Sequence, residues 1–156
     1  MPCDTLRDQL IGAWSLQTYA LVGQQRGDEM HPLGHNPAGL LIYTSDGFMS
    51  ATLQTRSRAP FASHDMYGGT ETEYSEAGRT YLSYAGMFSV DEDTSRVTHH
   101  MTLSYFPNWT GQSQVRLVEC RGDVLLLATD KPVLGGGGLR TAQLSWRRVH
   151  SNIVNW

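Results

Sequence analysis

Two adjacent histidines, His99 and His100, stand in the run "VTHHMTLSYFPNW" from Val97 to Trp109. An imidazole in such a place can ligate a metal, move a proton near neutral pH, or hydrogen-bond a buried neighbour. The run alternates like a β-strand, and successive strand residues point to opposite faces. Val97, His99, Met101 and Leu103 therefore share an apolar face, while Thr98, His100, Thr102 and Ser104 share a polar one. Two rings on opposite faces cannot chelate one ion. His31 and His35 are four apart, but Pro32 and Gly34 forbid the helix that would align them. No metal is expected. His99 is either a core histidine bonded to a neighbour or a ligand-facing acid or base. His100 is read as a surface residue.

Other polar side chains keep apolar company. Tyr84 shares a face with Leu82, Phe88 and Val90, and its hydroxyl needs a partner inside. Arg116 shares a face with Val118 and Cys120; an inward guanidinium needs a carboxylate, a carbonyl or an anionic ligand. The opposite register would instead turn Val115 and Leu117 inward. Phe61, Phe106 and Trp109 fall in loop-like stretches, where aromatics rim cavities or cap small cores. "GQSQV" lacks the last glycine of a nucleophile elbow, and Gly135 to Gly138 run into Leu-Arg-Thr rather than Gly-Lys-Ser/Thr. No dinucleotide fingerprint opens a helix, so no cofactor is expected.

The elements that must hold these residues are mostly strands. Period-two segments cover 12–22, 39–44, 48–53, 81–90, 96–104, 113–120, 124–129 and 140–149. Turn-forming clusters separate them, among them "DEDTS", "RGD" and "DKPVLGGGG". Asp46-Gly47 between two strand-like runs predicts a tight hairpin with positive φ at both turn residues. That register pairs Thr44 with Met49, Ile42 with Ala51 and Leu40 with Leu53, and turns this set inward. Tyr43, Phe48, Ser50 and Thr52 take the other, mixed face, which is solvated, covered by the helix, or itself the ligand side. A short helical turn with Asp4 or Thr5 as N-cap precedes the first strand. Thr70-x-x-Glu73 is a capping-box spacing, and it predicts one short helix over 70–78, between strands 3 and 4.

The expected fold is all-β: an eight-stranded antiparallel up-and-down barrel, which hides its edges by closing. A two-sheet sandwich is the runner-up. Residues 1–156 read as one domain, with no internal repeat or linker. A formal net charge of −3 argues against a nucleic-acid surface. No apolar run is long enough to span a bilayer, and the charged N-terminus does not look like a signal peptide, so a cytoplasmic location is expected. Cys3 and Cys120 read as free thiols.

Gly12-Ala13-Trp14 on the first strand has a Gly-x-Trp form, and Arg147 or Arg148 stands where an arginine would cross that tryptophan. With "GLLIYTSDGFMSATL", "PFASHD", "YAGMFSVDEDTSRVTHH", "FPNWTGQSQVR" and "LSWRR", the chain from Leu10 to about Arg148 resembles the lipocalin-like domain family of small bacterial and fungal proteins. The resemblance implies a calycin-type barrel with a lipophilic pocket, often beside natural-product pathways. The tail "HSNIVNW" goes beyond the family pattern and is expected to pack on the barrel or on a partner subunit, which leaves a homodimer open.

The expected ligand is a hydrophobic small molecule. The first functional reading is a cofactor-independent isomerase or cyclase, with His99 as acid or base and Tyr84 and Arg116 stabilising charge on an enol or carbonyl oxygen. The alternative is a non-catalytic carrier using the same pocket. A third is an interaction module using Trp109 and Trp156. Expected ligand-lining residues are Ile42, Tyr43, Met49, Phe88, Met101, Trp109 and Trp146.

Overall fold

Strand propensity and alternation produce the long strands where the sequence places them. The computed structural model describes residues 4–150. In order it contains α1 (Leu6–Leu10), β1 (Gly12–Val22), β2 (Glu29–Met30), β3 (Ala38–Tyr43), β4 (Phe48–Gln54), α2 (Glu71–Arg79), β5 (Tyr81–Asp91) and β6 (Arg96–Ser104). A 3₁₀ turn (Pro107–Trp109), β7 (Ser113–Arg121), β8 (Val124–Thr129), β9 (Val133–Gly135) and β10 (Gly138–Arg148) complete it. The eight long strands pair antiparallel in the order β1-β3-β4-β5-β6-β7-β8-β10, and β10 returns to β1 to close the barrel. The short strands β2 and β9 extend β1 and β10 at one end. Closure leaves no long strand with an unpaired edge. Helix α2 follows the third long strand, with Thr70 and Glu73 forming the capping box.

One end of the barrel is sealed. Thr5 caps α1 in a reciprocal box with Asp8, and Glu92 accepts the Leu6 and Arg7 amides at 2.7 and 3.0 Å. These bonds satisfy N–H groups that a helix start leaves free. Leu10 is thereby pressed under the barrel and fully buried. The Trp14 indole N–H donates to the Leu10 carbonyl at 2.9 Å. The Arg148 guanidinium lies 4.1 Å from the centre of the Trp14 ring and donates to the Ile11 and Gln9 carbonyls. Of the two arginines weighed for this place, Arg148 is the one that occupies it. A β-carbon at Gly12, which adopts a φ of +124°, would stand 3.1 Å from an Arg148 Nη, so glycine leaves room for the arginine.

Three local irregularities decide which side chains enter the lumen. At the β3–β4 hairpin Asp46 keeps a negative φ, and only Gly47 is left-handed, at +99°. Around a three-residue loop the Thr44 amide donates to the Phe48 carbonyl at 2.8 Å, and the Phe48 amide donates back to the Thr44 hydroxyl at 3.0 Å. The register is therefore Tyr43↔Met49 and Leu41↔Ala51, one residue from the expected one. A one-residue slip exchanges faces. The expected inward position of Ile42 is corrected: Ile42 points out, 36% exposed, while Leu41 and Tyr43 are buried. Met49, Ala51 and Leu53 on β4 face inward.

In β1 the pairing with β10 skips Gln17, a bulge that switches the inward parity from Trp14 and Leu16 to Tyr19 and Leu21. In β6 the pairing with β5 skips Thr102, so Leu103 turns outward and is 68% exposed instead of joining Val97, His99 and Met101 inside. That bulge brings two backbones together: a β-carbon at Gly86 would stand 1.9 Å from the His100 carbonyl oxygen. Cys120 is a free thiol. Cys3, Trp156 and the tail from Ser151 onward lie outside the described residues.

Candidate ligand-binding site

Trp14, Trp146, Leu125, Val97 and Tyr43 fill the lower half of the lumen and are almost fully buried. The upper half encloses a cavity of about 130 Å³. Its wall is Tyr19 and Leu21 from β1, Leu53 from β4, Leu82 and Tyr84 from β5, Gln114 and Arg116 from β7, Thr129 from β8, and Ala142 and Leu144 from β10. Phe106 and Trp109, from the turn after β6, and Val133 to Gly135 complete the lining. A larger groove of about 370 Å³ crosses the outer wall over Thr18, Leu117, Leu126 and Gln143. These four side chains point outward, and the groove holds no comparable convergence of buried polar groups.

The hairpin β9–β10 is made by Gly136 and Gly137, both with positive φ, between the pair Gly135↔Gly138. Arg140 fixes it by donating from Nε and Nη2 to Asp28 at 3.0 and 2.8 Å, and from Nη1 to the Gly136 carbonyl at 3.2 Å. Leu21 meets the hairpin directly: a β-carbon at Gly135 would stand 3.0 Å from its Cδ1.

An aromatic column runs from the mouth into the core. Phe106 and Trp109 meet edge to face at 5.6 Å, and Trp109 and Tyr84 at 5.7 Å. The Tyr84 ring lies 6.0 Å from the His99 ring, and Tyr43 follows at 5.7 Å from His99. The Tyr43 hydroxyl and His99 Nε2 hydrogen-bond at 2.6 Å, while His99 Nδ1 is buried without a partner among the described residues. His99 is 0% exposed. Burial, then the positive charge of Arg116, then His100, lower its pKa to about 3, so the ring is neutral across the physiological range.

Arg116 is 6% exposed, and among the described residues no carboxylate pairs with it. It donates from Nη2 to the Gln114 side-chain oxygen and from Nη1 to the Val115 carbonyl at 3.4 Å. A guanidinium has five N–H donors, so most of its capacity remains for the cavity and for the tyrosine beside it. Burial raises the pKa of Tyr84, and the charge and hydrogen bonding of Arg116 oppose the rise. Burial also raises Tyr19, with Tyr84 adding to the effect and Arg116 opposing it. Both hydroxyls therefore stay protonated at neutral pH.

A family model described as a lipocalin-like domain matches residues 11–149. The chain belongs to the lipocalin-like domain family. A relative of this lipocalin-like chain, the 4'-hydroxy-3'-methoxypropiophenone carrier protein ppsC of Aspergillus oryzae, is 34% identical over 107 residues. The match spans 65% of this chain and 96% of that protein. A crystal structure of an uncharacterized protein from Bacteroides eggerthii aligns with 90% of this chain and 99% of its own, at 10% identity and a TM-score of 0.44.

In the lipocalin-like barrel the candidate residues separate by depth. Tyr84, Arg116 and Trp109 line the cavity. His99, Tyr43, Met49, Phe88, Met101 and Trp146 point inward but lie outside its lining, in the packed interior. Ile42 is on the outer wall. His100 is exposed between Ser89 and Ser113, which its ring nitrogens meet at 3.0 and 2.8 Å. Among the described residues no group of three or more His, Cys, Asp or Glu side chains could hold a metal ion.

Sequence reasoning missed Tyr19, Gln114, Thr129 and the β9 flap. Gln114 and Thr129 follow from the alternation that places Arg116 and Leu127 inward. Tyr19 does not, because the bulge at Gln17 reverses the parity set by Trp14. The glycines of the flap lie in a cluster read as turn-forming, and the three-residue strand β9 within it is too short to carry a period-two signal.

Proposed function

We propose that this chain is a non-catalytic carrier of a small lipophilic aromatic ketone, held in the upper half of the barrel. The observation that carries the reading is the separation of His99 from the cavity. The imidazole that would move a proton is buried a level below, bonded to Tyr43 and unable to hold a proton near neutral pH. The polar groups that do reach the cavity, Arg116, Tyr84, Tyr19, Gln114 and Thr129, all carry hydrogen-bond donors, and none is a carboxylate or an imidazole. A lining of donors and apolar walls orients a carbonyl or hydroxyl oxygen and shields the rest of the molecule from water. The Aspergillus oryzae relative is named for carrying a hydroxylated, methoxylated propiophenone, a compact aromatic ketone of the kind such walls accept.

The catalytic alternative, a cofactor-free isomerase or cyclase, keeps Arg116 and Tyr84 as stabilisers of an enolate oxygen. It requires a base that the lining does not offer. Titration with 4'-hydroxy-3'-methoxypropiophenone, followed by quenching of Trp109 fluorescence, tests the carrier. Saturable 1:1 quenching, reduced in Trp109→Phe and accompanied by recovery of unchanged ligand after prolonged incubation, is the expected result. No saturable binding overturns the carrier reading for this ligand class. Conversion of the ligand overturns it in favour of the enzyme.

A further inference from the structure

We propose that the cavity takes its ligand as an anion, with the ionised oxygen of an acyl-substituted phenol set against Arg116. The inference rests on the carrier reading above and adds the ionisation state of the ligand. Arg116 is a nearly fully buried cation whose partners, a side-chain amide, a carbonyl and the Tyr84 hydroxyl, are all neutral. A buried charge is strongly disfavoured unless an opposite charge or a full set of hydrogen bonds compensates it. The titratable groups facing Arg116 come from four strands: Tyr19 on β1, Tyr43 on β3, Tyr84 on β5 and His99 on β6. Thr129 is its cross-strand partner on β8 and does not titrate. None of these neighbours is negative at neutral pH. The compensating charge is therefore left to the occupant of the cavity.

The remaining walls define that occupant. Leu21, Leu53, Leu82, Leu144 and the edges of Trp109 and Phe106 suit an aromatic body, not a hydrated carboxylate or phosphate. A phenol conjugated to a ketone meets both demands, because its conjugate base spreads charge into the carbonyl and loses less hydration on entering an apolar space. Arg116 would donate to the phenolate oxygen, and the Tyr84 and Tyr19 hydroxyls would donate beside it. When the neutral phenol binds, its O–H bond breaks, the electron pair stays on oxygen, and one proton leaves to bulk water.

The test compares 4'-hydroxypropiophenone with its methyl ether, 4'-methoxypropiophenone, using the intact chain. Absorbance reads the ionisation state directly, since the phenolate absorbs at longer wavelength than the phenol. At a pH below the phenol's own ionisation, the expected result is the phenolate band on addition of wild-type protein. Affinity for the phenol should rise about tenfold per pH unit up to that ionisation, while affinity for the ether stays flat. Arg116→Met should lose the band and the pH dependence. Equal, pH-independent binding of both ligands by the wild type, without the band, overturns the anionic site and leaves the carrier standing. Failure of both ligands to bind overturns the carrier and the site together. The wild-type absorbance titration decides the proposal even where Arg116→Met does not fold.

Discussion

At the scale of single residues, two of the buried polar groups matter most, the imidazole of His99 and the guanidinium of Arg116. His99 is neutral because burial and Arg116 both penalise its charged form. Its folded-state pKa, about 3, lies below the ordinary value of 6.5, so the unfolded chain binds more protons between these limits. The stability it confers is full above pH 6.5 and is lost as the pH falls toward 3. Urea melts at stepped pH should show wild type losing about 1.4 kcal/mol per pH unit over this window beyond what His99→Gln loses. Parallel slopes would mean that His99 is not desolvated. His100→Gln, on the exposed face, should stay within about 0.5 kcal/mol of wild type at neutral pH. Trp14 is the second test. It is 0% exposed beneath Arg148, and Trp14→Ala should cost about 3–5 kcal/mol in the same melts. A cost below about 1 kcal/mol would remove it from the core.

At the scale of elements, the bulges carry more functional information than the strands they interrupt. The bulge at Gln17 delivers Tyr19 to the cavity, and the one at Thr102 expels Leu103 to solvent. The second depends on Gly86, where a side chain would collide with the His100 carbonyl. Gly86→Ala forces β5 and β6 apart where no flexible side chain can yield. We expect a loss of about 1–3 kcal/mol and weakened amide protection along β6, read by hydrogen exchange. Unchanged stability and protection would show that the two backbones separate freely.

At the scale of the molecule, the barrel divides into a sealed, filled end and an open, hollow end. Trp14, Arg148 and α1 close the first; Trp109, Phe106 and the β9–β10 flap surround the second. A ligand that binds only the folded barrel should raise its stability by about 2.7 kcal/mol at one hundred times the dissociation constant. Ala142→Leu, which intrudes on the cavity from β10, should abolish that gain while leaving the unliganded fold intact. An equal gain in Ala142→Leu would place the ligand elsewhere, with the outer groove over Leu117 and Leu126 as the next site to examine.

The sequence by itself determined the eight long strands and their order, because period-two alternation and turn chemistry are local properties, and it favoured a closed barrel over a two-sheet sandwich because closing hides the strand edges. It also separated His99 from His100 and turned Tyr84 inward; Arg116 was inward in one of two registers left open, and the arginine over Trp14 was implied by the family resemblance. Only the tertiary structure decided which inward residues meet empty space. Ile42 was misplaced because a three-residue loop closes the hairpin one residue out of step with a two-residue one, and that slip exchanges the faces of β3. Tyr19 was missed and Leu103 misplaced because a bulge exists only between two paired strands, and alternation along one strand does not record it. His99 was placed on the correct face, but its depth was not legible. Whether an inward side chain lines a cavity or packs beneath it depends on the summed volumes of the side chains that all eight strands contribute at that level.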